Sequence, residues 1–306
     1  MAWKKLGQIY NPEEWRNIQN IQGGGYGANP VALPVEGNNI LKIYFNIRDE
    51  RNRAHVTYLD FDMEKLEIAS CTGEIVLAPG EKGTFDDCGC SIGSMLDMGD
   101  KIYLYYLGWN LPRNLPFMNR IGLAAIDKRT GKCQRVSPAP IMGQSPEDPY
   151  SISYPFVMKD GSKYRIWYGS HTSWRNTTLV KYDFNHILKY AESDDGVHIQ
   201  RENVICVQGD GVIEYAFSRP SLLYEDGLYK MWYTYRGEKY RIGYAESKDG
   251  ISFVRKDEQV DIVPEGNDWE SEEVSYPYVF GYRGRHYMLY CGNAYGKTGF
   301  GLAVEE

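Results

Sequence analysis

The sequence predicts an all-β protein: a five-bladed β-propeller of four-stranded antiparallel blades, occupying residues 1–306 as a single domain. Three observations carry this reading. One block of sequence recurs five times. Each block breaks into short strands separated by turn residues, which is how a propeller blade reads. The last block is one strand short, and a strand-like segment left over before the first block can supply it.

Taken in order, Trp3-Lys4-Lys5-Leu6-Gly7-Gln8-Ile9-Tyr10 reads as that left-over strand. The first block opens Asn29-Pro30-Val31-Ala32-Leu33 and continues through Leu41-Lys42-Ile43-Tyr44-Phe45. The second is weaker. Gly93 stands where the others have proline, and the apolar runs 101–106 and 121–125 follow. The third opens Ser153-Tyr154-Pro155 and passes the turn Asp160-Gly161 into Tyr164-Arg165-Ile166-Trp167-Tyr168. It continues through Tyr190-Ala191-Glu192-Ser193 to the turn Asp195-Gly196. The fourth is the clearest. It has Ser218-Arg219-Pro220, then Met231-Trp232-Tyr233, then Tyr244-Ala245-Glu246-Ser247 and the turn Asp249-Gly250. The fifth opens Ser275-Tyr276-Pro277, passes through Met288-Leu289-Tyr290, and stops after its third strand at Glu306.

With Pro30, Gly93, Pro155, Pro220 and Pro277 as anchors, the steps are 63, 62, 65 and 57 residues, so nothing is left over for a second domain. Two unrelated β-sandwiches would have no reason to repeat five times. The segment 3–10 is expected to pair with the last blade and close the ring, leaving only short, protected strand edges.

Composition narrows the function. The formal net charge is −7 and no Lys/Arg block stands out, which argues against nucleic acid or an anionic membrane as partner. No window approaches the roughly 20 apolar residues of a membrane span. The N-terminal segment lacks a signal-peptide pattern, so a cytoplasmic location is expected. The six cysteines (Cys71, Cys88, Cys90, Cys133, Cys206, Cys291) show no framework spacing and read as reduced thiols. Five scattered histidines suggest no metal set, and no cofactor is expected. The expected partner is a small molecule or glycan. The oligomeric state stays open.

In a propeller the loops entering the inner strands meet at one mouth, so a site must be read across blades. Acidic residues fall in those entries: Asp86 and Asp87 before Gly93, Glu147 and Asp148 before Pro155, Glu214 before Pro220, and Glu270, Glu272 and Glu273 before Pro277. The first blade brings Gly23-Gly24-Gly25-Tyr26-Gly27-Ala28-Asn29 instead, a run of low bulk that lets a ligand approach the backbone. Paired carboxylates at a pocket mouth suit acid/base work on a glycosidic bond. They serve equally as solvated turn residues or strand caps. Second-strand exits add Arg48-Asp49, Trp109, His171 with Trp174, Arg236, and Asn293 with Tyr295, which suit stacking on sugar rings and bonding to hydroxyls. Arg219, inside an inner strand, calls for a carboxylate partner such as Glu214 or an acidic substrate.

The sequence resembles the five-bladed propellers of the glycoside hydrolase family 43, 32, 68 and 130 superfamily. The resemblance rests on the fivefold period, the anchor prolines, and the Tyr-Ala-Glu-Ser-x-Asp-Gly passages at 190–196 and 244–250. A closer likeness is to members that accompany surface-polysaccharide biosynthesis, through Glu214-Tyr215-Ala216 before Arg219-Pro220 and through the segment 290–301. The resemblance implies a glycan-acting enzyme and leaves a channel Ca²⁺ open. It also marks departures. The Asp that families 43 and 32 place before the first-blade proline is Asn29 here, and an amide can neither accept that proton nor attack carbon. The family 43 general-acid position is Ser153.

The expected site is therefore Glu214 and Glu272 as the proton-transfer pair, with Asp87 as a third acid. Tyr26, Asn29, Asp86, Trp109, Asp148, His171, Trp174, Arg219, Arg236, Asn293 and Tyr295 are expected to bind substrate. The reaction would be glycosyl hydrolysis or transfer. The alternatives are a non-catalytic sugar-binding or scaffold propeller, or an enzyme of another class acting on an acidic metabolite.

Overall fold

The computed structural model describes residues 2–15, 25–35, 37–175 and 183–306; Gly23 and Gly24 of the glycine run lie outside them. The described residues are mostly β-strand. Strand β1 (Trp3–Tyr10) precedes the first repeat. The first repeat forms β2 (Gly25–Pro34), β3 (Ile40–Arg48) and β4 (Ala54–Asp62), and its outer edge is split into β5 (Glu67–Ser70) and β6 (Ile75–Leu77), both paired to β4. The second forms β7 (Gly89–Asp97), β8 (Lys101–Asn110), β9 (Met118–Asp127) and β10 (Cys133–Arg135). The third forms β11 (Ile152–Asp160), β12 (Lys163–Arg175), β13 (Asp183–Ser193) and β14 (Ile199–Val207). The fourth forms β15 (Ser218–Glu225), β16 (Leu228–Arg236), β17 (Tyr240–Ser247) and β18 (Val254–Arg255). The fifth forms β19 (Ser275–Tyr282), β20 (Arg285–Cys291) and β21 (Phe300–Glu305).

Each repeat pairs antiparallel in sequence order, and a parallel bridge, Ala54 to Gly89, links the first two groups. The expected closure is present. β1 runs antiparallel to β21, with Trp3 opposite Glu305 and Tyr10 opposite Phe300, so the last group reads β1-β21-β20-β19. The first strands of the groups touch in a closed cycle: β2 with β7, β7 with β11, β11 with β15, β15 with β19, and β19 back to β2. Apolar layers fill the gaps between neighbours. Tyr105, Leu123, Val157 and Ile166 join the second and third groups; Trp167, Leu222 and Met231 join the third and fourth. Trp232, Val279 and Met288 join the fourth and fifth.

The anchor prolines mark a repeated kink. The residue just before each one has a left-handed backbone: Asn29 (φ 53°), Tyr154 (φ 36°), Arg219 (φ 54°) and Tyr276 (φ 54°). The ladder shifts register at each, as in a bulge. Non-glycine residues with positive φ are uncommon, and bulges re-aim side chains. The second group carries Gly93 because its neighbour leaves no room. A Cβ there would lie 2.7 Å from Pro155 Cδ and 2.7 Å from the Pro155 carbonyl oxygen.

Candidate functional site at the channel mouth

Half of the entry-loop acids, Asp86, Asp148, Glu214 and Glu270, are committed to the blades. In four of five groups the second strand carries a tyrosine at one register position: Tyr106, Tyr168, Tyr233 and Tyr290. The fourth strand carries a base opposite a third-strand alanine: Arg135 opposite Ala124, Arg201 opposite Ala191, Arg255 opposite Ala245, and Lys5 opposite Ala303. Alanine leaves room for the base to reach inward, where a carboxylate ties the two together. Asp86 accepts from the Tyr106 hydroxyl (2.9 Å) and Arg135 Nε (2.8 Å). Asp148 accepts from Tyr168 (2.9 Å), Ser170 (2.6 Å), Lys189 (3.0 Å) and Arg201 (3.0 Å). Asp257 accepts from Tyr233 (2.6 Å) and pairs with Arg255. Glu270 pairs with Lys5 at 3.1 Å and lies beside Tyr290. In the first group the register position is Phe45, which has no hydroxyl, and its entry brings no acid.

These clamps correct several expectations. Asp86 and Asp148 are buried at 1% and 0% exposure and fully engaged, so neither faces a ligand. Burial alone would raise the Asp148 carboxyl, but the hydrogen bonds from Ser170, Lys189 and Tyr168 outweigh it and hold it below the ordinary carboxylate range. Glu214 extends the fourth clamp: it grips Arg255 with both oxygens, at 2.7 and 3.1 Å, and lines no cavity at the mouth. Asp87 accepts from the Gly83 amide at 2.9 Å and is likewise outside the mouth. The expected pair of Glu214 with Glu272 is thus split, because only Glu272 reaches the cavity.

Arg219 does not take a carboxylate. It is 1% exposed, and its guanidinium donates to the carbonyl oxygens of Ile92 (3.0 Å), Gly93 and Pro30 (3.2 Å), binding three inner strands together. Burial lowers its pKa to about 10, which leaves it charged at neutral pH. A channel Ca²⁺ would need several oxygen ligands, from carboxylates, carbonyls or water, with no cation among them. Here inner-strand carbonyls already face a guanidinium, so the residues present do not fit the ion.

The mouth itself is a depression with two lobes that share Arg48, Asn52, Arg236, Tyr240 and Tyr295. The wide lobe, about 960 Å³, also takes in Tyr26, Asp49, Lys239, Asp268, Glu272, Glu273 and Asn293. The narrow lobe, about 420 Å³, is lined by Arg51, Trp109, Phe117, Tyr154, His186 and Tyr276. A run of tyrosine rings connects them. Tyr154 lies 5.3 Å from Tyr276, Tyr276 lies 6.2 Å from Tyr240, and Tyr240 and Tyr26 lie 6.2 and 6.1 Å from Tyr295. Arg48 sits over the faces of Tyr26 (4.7 Å) and Trp109 (5.9 Å), and Arg236 over Tyr240 (5.1 Å).

Of the expected binding residues, Tyr26, Trp109, Arg236, Asn293 and Tyr295 therefore meet at the mouth. Asn293 spends its side chain on the loop, accepting from the Glu272 and Glu273 amides at 2.8 and 3.1 Å. Asn29 is 3% exposed and lines only a small recess beneath the lobes. His171 and Trp174 stand behind the wall and pack on Phe117, Phe184 and His186. Tyr154, Tyr240, Tyr276, His186 and Arg51 join the site without having been singled out by the sequence reading. For Tyr154 and Tyr276 a signal exists in the sequence: each precedes an anchor proline, the kinked position that turns a side chain inward.

Glu272 is exposed and paired with Lys239 at 2.7 Å, which holds its carboxyl below the usual range. Asp49 is engaged by Arg53 (2.8 Å) and His55 (3.2 Å). Glu273 accepts from the Ala294 amide at 3.0 Å. No group of three or more His, Cys, Asp or Glu residues suited to a metal occurs among the described residues, and no helix there is long and apolar enough to cross a membrane.

The fold is that of the β-propeller glycoside hydrolases. The structure aligns with that of a glycoside hydrolase at a TM-score of 0.72 and 15% identity, covering 98% of this protein and 90% of that one. It aligns with a thermostable family-43 glycoside hydrolase at a TM-score of 0.66 and 14% identity, covering 94% and 91%. For the endo-arabinase from Bacteroides thetaiotaomicron VPI-5482 the values are 0.66 and 11%, covering 98% of each. No family model matches the sequence. Over 312 residues, and 100% of both proteins, it is 40% identical to Uncharacterized protein Rv1502 of Mycobacterium tuberculosis (strain ATCC 25618 / H37Rv). It is equally similar to Uncharacterized protein MT1551 of strain CDC 1551 / Oshkosh. The protein belongs to the family of these two mycobacterial proteins.

Proposed function

We propose that this protein is a five-bladed propeller that binds a glycan or activated sugar at the channel mouth and carries out glycosyl hydrolysis or transfer there. The observation that carries the reading is the tyrosine run with Trp109. Flat aromatic faces beside hydrogen-bonding side chains are what a sugar ring requires. The glycoside hydrolase neighbours support a carbohydrate ligand by analogy of fold alone. A place in surface-polysaccharide synthesis is part of the proposal.

Two carboxylates must flank a scissile glycosidic bond. The wide lobe offers Glu272 and Glu273. Lys239 keeps Glu272 ionised, which suits a base or nucleophile. The proton-donating role then falls to Glu273. Glu272→Gln and Glu273→Gln are each expected to abolish turnover of a glycan substrate while sugar binding persists. Unchanged turnover in both variants ends this assignment.

One observation favours a second reading, a non-catalytic binder. None of the five residues preceding the anchors is an acid; they are Asn29, Ile92, Tyr154, Arg219 and Tyr276. Saturable sugar binding with no product after long incubation would select it.

A further inference from the structure

We infer that the narrow lobe is an anion subsite, in which Arg48, Arg51 and Arg236 hold a carboxylate or phosphate group carried by the sugar at the mouth. The inference rests on the reading above that the mouth takes a sugar. Three arginines line this lobe, and no carboxylate lines it among the described residues.

Several arginines elsewhere sit against acids: Arg53 with Asp49, Arg135 with Asp86, Arg201 with Asp148, Arg255 with Glu214. Arg48 is held differently. Its side chain donates to Asn52 Oδ1 at 2.8 Å, and the faces of Tyr26 and Trp109 position the guanidinium. The adjacent Asp49 is taken by Arg53 and His55. Stacking fixes the plane of a guanidinium while leaving its edge N–H groups for a planar or tetrahedral anion, the geometry arginine serves best.

A second, independent observation lies in the same wall. His186 is 7% exposed and lines the lobe, yet neither ring nitrogen has a hydrogen-bond partner among the described residues. Burial pulls its pKa down to about 3, so the ring is neutral and presents one donor and one acceptor. A neutral imidazole beside fixed cations suits a ligand with both a hydroxylated body and a charged group.

The test is calorimetric titration of the full-length protein with matched sets of glucose, galactose and mannose: the neutral hexoses, their uronic acids and their 1-phosphates. Uronic or phosphorylated forms are expected to bind at least about tenfold tighter than their neutral parents. That preference should vanish in Arg48→Gln and persist in Arg283→Gln, which alters an exposed pair with Glu64. Whichever acidic set binds tighter names the group. Arg51→Gln serves if Arg48→Gln fails to fold. Equal affinity for neutral and acidic forms overturns the subsite but leaves the sugar reading standing. A preference retained in both arginine variants also overturns it. Binding by no member of any set overturns the sugar reading and the subsite together.

Discussion

The blade walls and the channel mouth use charge in opposite ways. In the walls the buried carboxylates are matched: Asp148 collects two cations and two hydroxyls, Asp86 an arginine and a tyrosine. At the mouth Arg48 rests on aromatic faces, and the narrow lobe has no acid among its described lining residues. The same residue types are thus tied to acids in one region and to aromatic faces in the other. A charge neutralised inside the protein contributes to the fold. A charge held by ring faces stays available.

The sharpest way to break this contrast is Asp148→Asn. Removing one member of a buried ionic cluster strands Lys189 and Arg201, and unfolding should become easier by about 3–5 kcal/mol in denaturant titration. Sugar affinity of the folded protein should not change. The sign with pH follows. The folded Asp148 carboxyl lies below its ordinary value, so its contribution is complete above about pH 4 and is lost as pH falls through the depressed folded value. The variant should show a flatter acid limb.

Arg219→Ala tests the centre of the ring, where three strand carbonyls would lose their donor. A loss of about 3 kcal/mol is expected by the same measurement, with affinity little altered. Trp109→Ala reverses the pattern. Sugar binding should weaken roughly tenfold by calorimetry while the unfolding midpoint barely moves. Tyr106→Phe would give the second blade the residue found at Phe45, and should cost about 1 kcal/mol because Asp86 keeps Arg135. The smallest effect is expected of Glu214→Gln, less than about 1 kcal/mol with unchanged binding, since the Arg255 pair is part-exposed. Lost turnover in that variant would bring Glu214 back as a catalytic group.

The fold was legible because its signals are local. Asp160-Gly161, Asp195-Gly196 and Asp249-Gly250 announce turns, and the anchor prolines recur at near-equal steps. Closure by the segment 3–10 was legible from simple counting. The use of the acids was not. Asp86 and Arg135 are 49 positions apart, and their meeting depends on the small Ala124 lying opposite Arg135 on the neighbouring strand. Nearness to an inner strand in sequence resembles nearness to the channel, but a loop can turn its side chains into the wall between blades. The burial of Arg219 was readable, and its partners were not, because carbonyls on two other inner strands converge on it only after the ring closes. Tyr154 and Tyr276 are marked only by their place before an anchor proline, because aromatic residues on strands usually pack.

The seam between β1 and β21 has a consequence for how the protein is made. β1 is made before the other described strands and is bonded to β21, so Trp3 and Tyr10 wait for Glu305 and Phe300 until every strand between has been made. The groups between can accumulate in order, but the circle is sealed only once β21 has emerged. Until then an open sheet edge on β20 and a loose apolar strand coexist. A second nascent copy could supply the missing strand, so an exchanged dimer is the misassembly this architecture invites.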